Sequence, residues 1–146
     1  MSSLPPLGIT FVDTNILLYS HDTHDDAKHR AAESLLGQLW SSGLGILSTQ
    51  VLQEFYSAAT RKLRPPLTPT QARQVVHNYS EWCRVDTDPL LILSASRLSE
   101  KHCVNFRDAL IIEAALRAGA TELVTEDLHN GCRFGELTVR NPFREQ

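Results

Sequence analysis

The sequence lacks the long apolar runs of a membrane protein, since no stretch approaches the roughly 18 residues that a spanning helix needs. Its start, Met1-Ser-Ser-Leu-Pro-Pro, has neither the basic nor the apolar region of a signal peptide. The three cysteines (Cys83, Cys103 and Cys132) are odd in number and form no C-x-x-C pair, which argues against a disulfide framework or a structural zinc site. We therefore expect a cytoplasmic protein with reduced thiols and no membrane partner.

An excess of positive charge is also missing. Lys and Arg total 14 against 17 Asp and Glu, for a net charge of −3. This balance argues against a protein that coats nucleic acid with a uniformly basic surface. Nucleic-acid chemistry would instead need a local basic patch or bound metal cations. The 146 residues are 42% hydrophobic and 21% charged, a composition typical of one folded domain rather than a disordered chain.

Short apolar strands alternate with amphipathic helices along the whole chain. This alternation predicts an α/β domain with a mostly parallel central sheet and helices on both of its faces. We expect one domain over residues 1–146, of which residues 1–8 are a short extension. The expected strands span residues 9–12, 45–48, 84–86, 122–125 and 137–140, the last as an edge strand. The expected helices span residues 25–42, 50–62 and 107–118, with two more starting after Thr68, up to about residue 83, and after Asp88.

Four acidic residues are expected at one edge of this sheet. In an open parallel sheet, ligands bind in the crevice beyond the carboxyl ends of the strands. Asp13 directly follows the first strand, and Asp127 comes two residues after the strand that ends at 125. Glu54 lies in the first two turns of the helix that leaves the second strand. Asp108 opens the helix that leads back to the strand at 122, so its amino end must lie at the same edge.

The pattern around Asp108 places this carboxylate on a buried helix face, which it shares with Ile111, Ile112 and Ala115. Unpaired buried carboxylates are costly, and their repulsion would raise their pKa values. A hard divalent cation removes both problems. Taken singly, each acid also has an ordinary explanation: a capped turn at residue 13, a helix amino end at 108, a solvated helix position at 54 and a surface turn at 127.

The motifs that carry these acids form a familiar ordered set. They are F-V-D-T-N-I-L-L-Y over residues 11–19, Q-E-F-Y over 53–56, F-R-D-A-L-I-I-E-A-A over 106–115 and L-V-T-E-D over 123–127, with N-P-F at 141–143. Together they resemble the PIN-domain family, and most closely its VapC-type toxins. Each motif is short, whereas the ordered set covers nearly the whole chain.

This resemblance implies a metal-dependent endoribonuclease that uses Mg²⁺ or Mn²⁺, with Asp13, Glu54, Asp108 and Asp127 at the acidic positions of the family. It also implies a homodimer and a cognate antitoxin protein. The fourth acid is open between Glu126 and Asp127, and the T-x-D pattern of the family favours Asp127. Asp13 and Asp108 are the first choices as metal ligands.

Three short polar residues, Thr14, Asn15 and Thr125, are candidates for holding carboxylates or waters in place. Capping of turns explains the same residues equally well.

A basic cluster, Arg61, Lys62 and Arg64, ends the Glu54 helix. It is either a solvated cap of the helix carboxyl end or a patch for the RNA backbone. Arg107 either contacts a phosphate or pairs with an acid.

Two other functions share individual features with this sequence. A phosphatase of the haloacid-dehalogenase type needs a second carboxylate two residues after the first, where this chain has Asn15. The other alternative is a non-catalytic PIN-like module that binds RNA or serves as a scaffold. A transition-metal site at His21, His24 and His29 is disfavoured, because the segment lacks Cys and a helical i, i+4 His pair.

Overall fold

A six-stranded sheet forms the centre of the computed structural model, which describes residues 8–144. The expected extension over residues 1–8 lies, apart from Gly8, outside the described residues. The strands follow the order β3-β2-β1-β4-β6-β5, and each neighbouring pair is parallel except β5 and β6. They are β1 (Thr10–Val12), β2 (Gly45–Ser48), β3 (Cys83–Val85), β4 (Glu122–Val124), β5 (Arg133–Phe134) and β6 (Leu137–Arg140). The prediction of an α/β fold with a mostly parallel sheet is confirmed.

In the described part of the chain, six α-helices connect and cover these strands: α1 (Thr14–Tyr19), α2 (Asp26–Ser42), α3 (Thr49–Arg61), α4 (Pro69–Tyr79), α5 (Pro89–His102) and α6 (Phe106–Arg117). The predicted start of α4 is found, because Thr68 and Gln71 form a complete capping box. Its predicted end near Cys83 is wrong, since a 3₁₀ turn over Ser80–Trp82 follows the helix and Cys83 already pairs with β2.

The last strand also departs from expectation. β6 was expected at the edge of the sheet, but it pairs with β4 on one side and with the two-residue strand β5 on the other. The turn between β5 and β6 contains Gly135, whose φ of 62° is a conformation that favours glycine. The edge therefore belongs to β5.

The hydrophobic core lies on both sides of β1 and β2, whose residues are all buried. Phe11, Phe55, Leu39 and Ile111 are among its largest fully buried side chains. Strands that are covered on both faces read as continuous apolar runs, which is why their sequence pattern shows no alternation. Among residues 8–144 no helix combines the length and apolar character needed to cross a membrane.

The carboxyl ends of the parallel strands lie along one edge of the sheet. The backbone N–H of Asp13 donates to the carbonyl of Val124 at 3.1 Å, and the N–H of Thr125 donates to the carbonyl of Arg140 at 3.1 Å. The ends of β1, β4 and β6 are thus joined by hydrogen bonds. The residues that directly follow β1 and β4 are held side by side.

Candidate active site

Four carboxylates from separate parts of the chain surround the guanidinium of Arg107 at this edge. Nη2 lies 2.7 Å from Asp13 Oδ1, and Nη1 lies 3.0 Å from Asp108 Oδ1 and 3.6 Å from Asp127 Oδ2. Nε donates to Glu54 Oε2 at 3.1 Å, and Nη2 also contacts Oε1 of the same residue. The structure therefore brings together all four acids that the topology placed at the edge.

Asp13 is the most deeply buried of the four, with only 1% of its surface exposed. It is the N-cap of α1, and its Oδ1 accepts a hydrogen bond from the N–H of Thr14 at 2.7 Å. Its Oδ2 accepts from Thr125 Oγ1 at 2.8 Å. The expected capping of the turn by Asp13 is thus found, and the cap fixes its carboxylate where it also contacts Arg107.

Glu54 projects from the second turn of α3 towards Arg107. Its Oε1 accepts from Thr14 Oγ1 at 2.7 Å, and its Oε2 accepts from Gln50 Nε2 at 3.1 Å. Burial alone would raise the pKa of Glu54, but hydrogen bonds from Arg107, Thr14 and Gln50 together hold that pKa below its ordinary value. This carboxylate is therefore ionised in the folded protein at neutral pH.

Asp108 occupies the third position of α6 and is buried, as its place among the apolar residues of that helix predicts. Asn105 fixes it from two sides, because its Oδ1 accepts from the N–H of Asp108 at 2.8 Å and its Nδ2 donates to Asp108 Oδ2 at 2.9 Å. Asn105 and Gln50 are not among the site residues expected from the sequence. An N-cap residue three positions before an acid, and an amide four positions before another, are the signals that identify them.

Asp127 lies at the more open side of the group. Its Oδ2 accepts from Asn15 Nδ2 at 3.1 Å, and its N–H donates to Thr125 Oγ1 at 3.0 Å. Burial and the charges of Asp13 and Asp108 raise the pKa of Asp127, although Arg107 and Asn15 oppose this rise. Asn15 and Thr125, both candidates for holding carboxylates, thus contact the acids directly.

Glu126 points away from this group. Its carboxylate accepts from the Tyr19 hydroxyl at 2.9 Å and forms an ion pair with Lys28. The ammonium of Lys28 also lies over the rings of Tyr19 and Phe143. Of the two adjacent acids that the sequence left open, Asp127 is therefore the one whose carboxylate lies beside the other three.

The donor chemistry of the group fits a hard divalent cation. Every ligand candidate is a carboxylate oxygen, and the four carboxylates project from different elements, a set that suits Mg²⁺ or Mn²⁺ better than softer metals. In this structure the carboxylates contact the guanidinium of Arg107 instead. Within residues 8–144, no three His, Cys, Asp or Glu side chains are arranged to hold a metal ion.

A groove of about 450 Å³ leads away from the acids along α3. It is lined on one side by Glu54, Arg107 and Asp127 and on another by Arg61 and Lys62. Arg64 lies outside this lining, because its guanidinium donates to the carbonyls of Arg61 and Leu63 at 2.8 and 3.0 Å. The basic cluster therefore divides into two cations that face the groove and one that caps the end of the helix.

The three histidines that suggested a transition-metal site have separate partners. His24 Nδ1 contacts Asp22 and His29 Nδ1 contacts the carbonyl of Tyr19, each at about 3 Å. His21 packs against the ring of Phe55, and burial lowers its pKa.

Comparison with known proteins adds the following findings. A family model described as PIN domain matches residues 10–129. A similar solved chain comes from a toxin–antitoxin complex of Klebsiella pneumoniae; it is 16% identical, with 91% of this chain and 97% of that chain covered and a TM-score of 0.63. Another comes from VapBC2 of Rickettsia felis bound to a DNA fragment from their promoter, at 18% identity, 90% and 97% coverage and a TM-score of 0.56. No curated protein matches the chain.

Proposed function

The chain belongs to the PIN domain family, and we propose that it is a metal-dependent endoribonuclease of the VapC type, the toxin of a toxin–antitoxin pair. One observation carries the proposal. Carboxylates at positions 13, 54, 108 and 127, far apart in the sequence, meet around one cation at the carboxyl edge of a parallel sheet. The similarity in fold to chains from a toxin–antitoxin complex and from VapBC2 supports the toxin assignment.

In this proposal Asp13 and Asp108 are the principal metal ligands, and Glu54 and Asp127 complete the site. Mg²⁺ or Mn²⁺, when bound, supplies a water of lowered pKa for attack on the phosphodiester and offsets the charge that develops on its oxygens. The two principal ligands are largely buried and fixed by hydrogen bonds, which limits the freedom that they lose when they bind a cation.

The surrounding polar residues keep the carboxylates in orientation. Thr125 donates to Asp13, Thr14 donates to Glu54, and Asn15 donates to Asp127. Each hydroxyl or amide thereby selects one rotamer of its acid. We assign these three residues a positioning role, because they act on the carboxylates rather than on the RNA.

The groove supplies the surface for the RNA. Arg61 and Lys62 face it from the end of α3, and their charges attract the phosphate backbone next to an otherwise acidic centre. Without these local cations, a protein of net charge −3 would repel its substrate. The further partners in this proposal are the cognate antitoxin and a second copy of the chain, in the cytoplasm.

The direct test is cleavage of a labelled single-stranded RNA by the purified protein. We expect cleavage with Mg²⁺ or Mn²⁺ and none with excess EDTA, followed by recovery when the metal is restored. Cleavage that continues in EDTA would contradict the metal-dependent mechanism. Co-purification with the product of a neighbouring small gene would test the toxin assignment independently.

A second candidate, a non-catalytic module that binds RNA, is favoured by one observation. Arg107 already pairs with every acid of the group, so the carboxylates have a cationic partner without a metal. The same assay separates the two functions. Retention of RNA on a filter with no cleavage at any metal concentration would support the binding module.

A further inference from the structure

The geometry points to Arg107 as an internal cation of the carboxylate site, which a divalent metal ion must displace in order to bind. Its side chain holds the acids together when metal is scarce and competes with metal for the same oxygens. The inference rests on the proposed metal-dependent function, but it concerns a residue of this chain and can be tested by binding alone.

The hydrogen bonds of Asp13 use all the acceptor positions of its carboxylate. An ionised carboxylate offers about four lone-pair positions. Two of them accept from the N–H of Thr14 and the hydroxyl of Thr125. The other two accept from Arg107, with Nη2 at 2.7 Å from Oδ1 and Nη1 at 3.1 Å from Oδ2. A metal ion can therefore gain an oxygen of Asp13 only if an N–H of Arg107 leaves it.

The same guanidinium also occupies the other acids. Nη1 donates to Asp108 at 3.0 Å, and Nε donates to Glu54 at 3.1 Å. One planar cation thus binds three carboxylates by hydrogen bonds and lies within 3.6 Å of Asp127. Each carboxylate that a metal ion could bind here is in contact with Arg107. Binding of the metal to several of them therefore requires the whole guanidinium to move, and not only one hydrogen bond to break.

The position of Arg107 allows this displacement. Its side chain is 33% exposed and lines the groove, whereas the side chain of Asp108 beside it is 9% exposed. The long stem of an arginine can rotate into the groove while its helix stays in place. The carboxylates that remain are held by Thr14, Thr125 and Asn105. The site can thus exchange one cation for another without refolding.

Electrostatics explain why a resident cation is useful. Several carboxylates in contact at a partly buried site repel one another, and removing the partner of a buried charge is strongly destabilising. Arg107 offers a permanent charge to these acids, because a guanidinium is not deprotonated in proteins, and it is hydrogen-bonded to three of them. Arg107 therefore stabilises the metal-free fold and weakens the apparent metal affinity by the same contacts.

Calorimetric titration with Mn²⁺ tests the competition. We would compare the wild-type protein with Arg107→Gln, Arg107→Lys and the matched control Arg117→Gln. Arg117 lies at the other end of α6 and pairs with the exposed Asp88, so its loss removes an ion pair of the same helix without touching the site. We expect Arg107→Gln to bind Mn²⁺ at least about tenfold more tightly, because no charged hydrogen bonds must be broken. The lysine variant should lie between it and the wild type, and the control should match the wild type.

Thermal unfolding gives a second measurement. Arg107→Gln should melt at a lower temperature than Arg117→Gln in EDTA, and Mn²⁺ should raise its melting temperature more than that of the wild type. If the glutamine variant does not fold, the wild-type protein remains informative. The side-chain Nε–H NMR signal of Arg107 should shift or vanish on titration with Mg²⁺, because the guanidinium leaves its carboxylates.

The outcomes separate this inference from the proposed function. Equal or weaker Mn²⁺ binding by Arg107→Gln, or an unchanged Nε–H signal while Mg²⁺ binds, would overturn the displacement. No metal binding by any variant would overturn both the displacement and the metal-dependent function. Tighter binding by the glutamine variant, with no RNA cleavage by the wild type, would support the displacement and contradict the nuclease.

Discussion

The hydroxyl of Thr125 donates to Asp13 Oδ2 at 2.8 Å and so joins two residues that are 112 positions apart in the chain. Both follow the ends of neighbouring parallel strands, β1 and β4. The same Oγ1 accepts the N–H of Asp127 at 3.0 Å. One buried hydroxyl therefore sets the positions of two acids.

Replacing this hydroxyl by a methyl group tests its role. We expect Thr125→Val to lower the free energy of unfolding by about 1–2 kcal/mol, because Asp13 and the N–H of Asp127 lose a buried partner. Metal affinity should fall by roughly 10- to 100-fold, as when a group that orients a ligand is removed. Thr125→Ser is the control, since it keeps the hydroxyl, and it should retain metal affinity in calorimetry. Equal metal affinities for the valine and serine variants would contradict a positioning role.

The two acids assigned as principal ligands should be essential for cleavage. We expect Asp13→Asn and Asp108→Asn to abolish metal-dependent RNA cleavage while the circular dichroism spectrum and melting transition persist. Asparagine caps a helix as well as aspartate does, so the start of α1 should survive. Asp88→Asn, at the exposed cap of α5, controls for the loss of one negative charge. Full activity in either site variant would reject the assignment.

The adjacent acids Glu126 and Asp127 form a natural matched pair. We expect Asp127→Asn to weaken Mn²⁺ binding and cleavage, because its carboxylate lies beside the other three. Glu126→Gln should leave both unchanged, since Glu126 binds Tyr19 and Lys28 instead. Calorimetry and initial cleavage rates measure the difference. If Glu126→Gln weakened binding and cleavage while Asp127→Asn did not, Glu126 would be the fourth acid of the site.

Glu54 should make stability depend on pH. Its pKa in the folded protein lies below the ordinary value of 4.5, so its contribution to stability is present above that value and is lost as the pH falls through the folded pKa. In EDTA at neutral pH, we expect Glu54→Gln to unfold with a free energy about 1 kcal/mol below that of the wild type. Denaturant titrations should show this difference shrinking as the solution is acidified below 4.5. A difference that grows on acidification would contradict the direction of the shift.

The basic cluster should affect RNA binding unevenly. We expect replacement of both Arg61 and Lys62 by Ala to make the slope of log K for RNA binding against log salt concentration shallower by about 1 to 1.5. This is the change expected for two lost phosphate contacts on a single strand. Arg64→Ala is the matched control, because its guanidinium binds backbone carbonyls at the end of α3. Fluorescence anisotropy at several salt concentrations measures the slopes. Equal slopes for the double variant and the wild type would show that Arg61 and Lys62 do not contact the RNA backbone.

The main elements could be predicted from the sequence because their signals are local. The capping box at Thr68 and the glycine after α2 mark boundaries that the structure reproduces. The short helix α1 is absent from the predicted elements, because a brief apolar run such as residues 16–19 does not by itself distinguish a buried strand from a helix. The carboxylate of Asp13, which caps it, resolves that ambiguity, but only in the folded chain. The two-residue strand β5 is too short to leave a pattern.

The convergence of the acids followed from topology, because parallel strands end at one edge. The place of Arg107 did not follow in the same way. The sequence left its partner open between a phosphate and a single acid, whereas the structure pairs it with four carboxylates. Such a shared partner depends on where several side chains point, which spacing along one helix does not specify. Asn105 and Gln50 differ in this respect, because they lie three and four residues before the acids that they contact, a spacing that the sequence does show.

The pairing of β1 with β4 has a consequence for biosynthesis. A nascent polypeptide leaving the ribosome carries Asp13 and Glu54 long before Thr125 and Asp127 have been translated. Until that last part emerges, β1 lacks one of its two neighbouring strands and Asp13 lacks the hydroxyl that orients it. The group of four carboxylates is thus completed only when translation of the chain is almost finished.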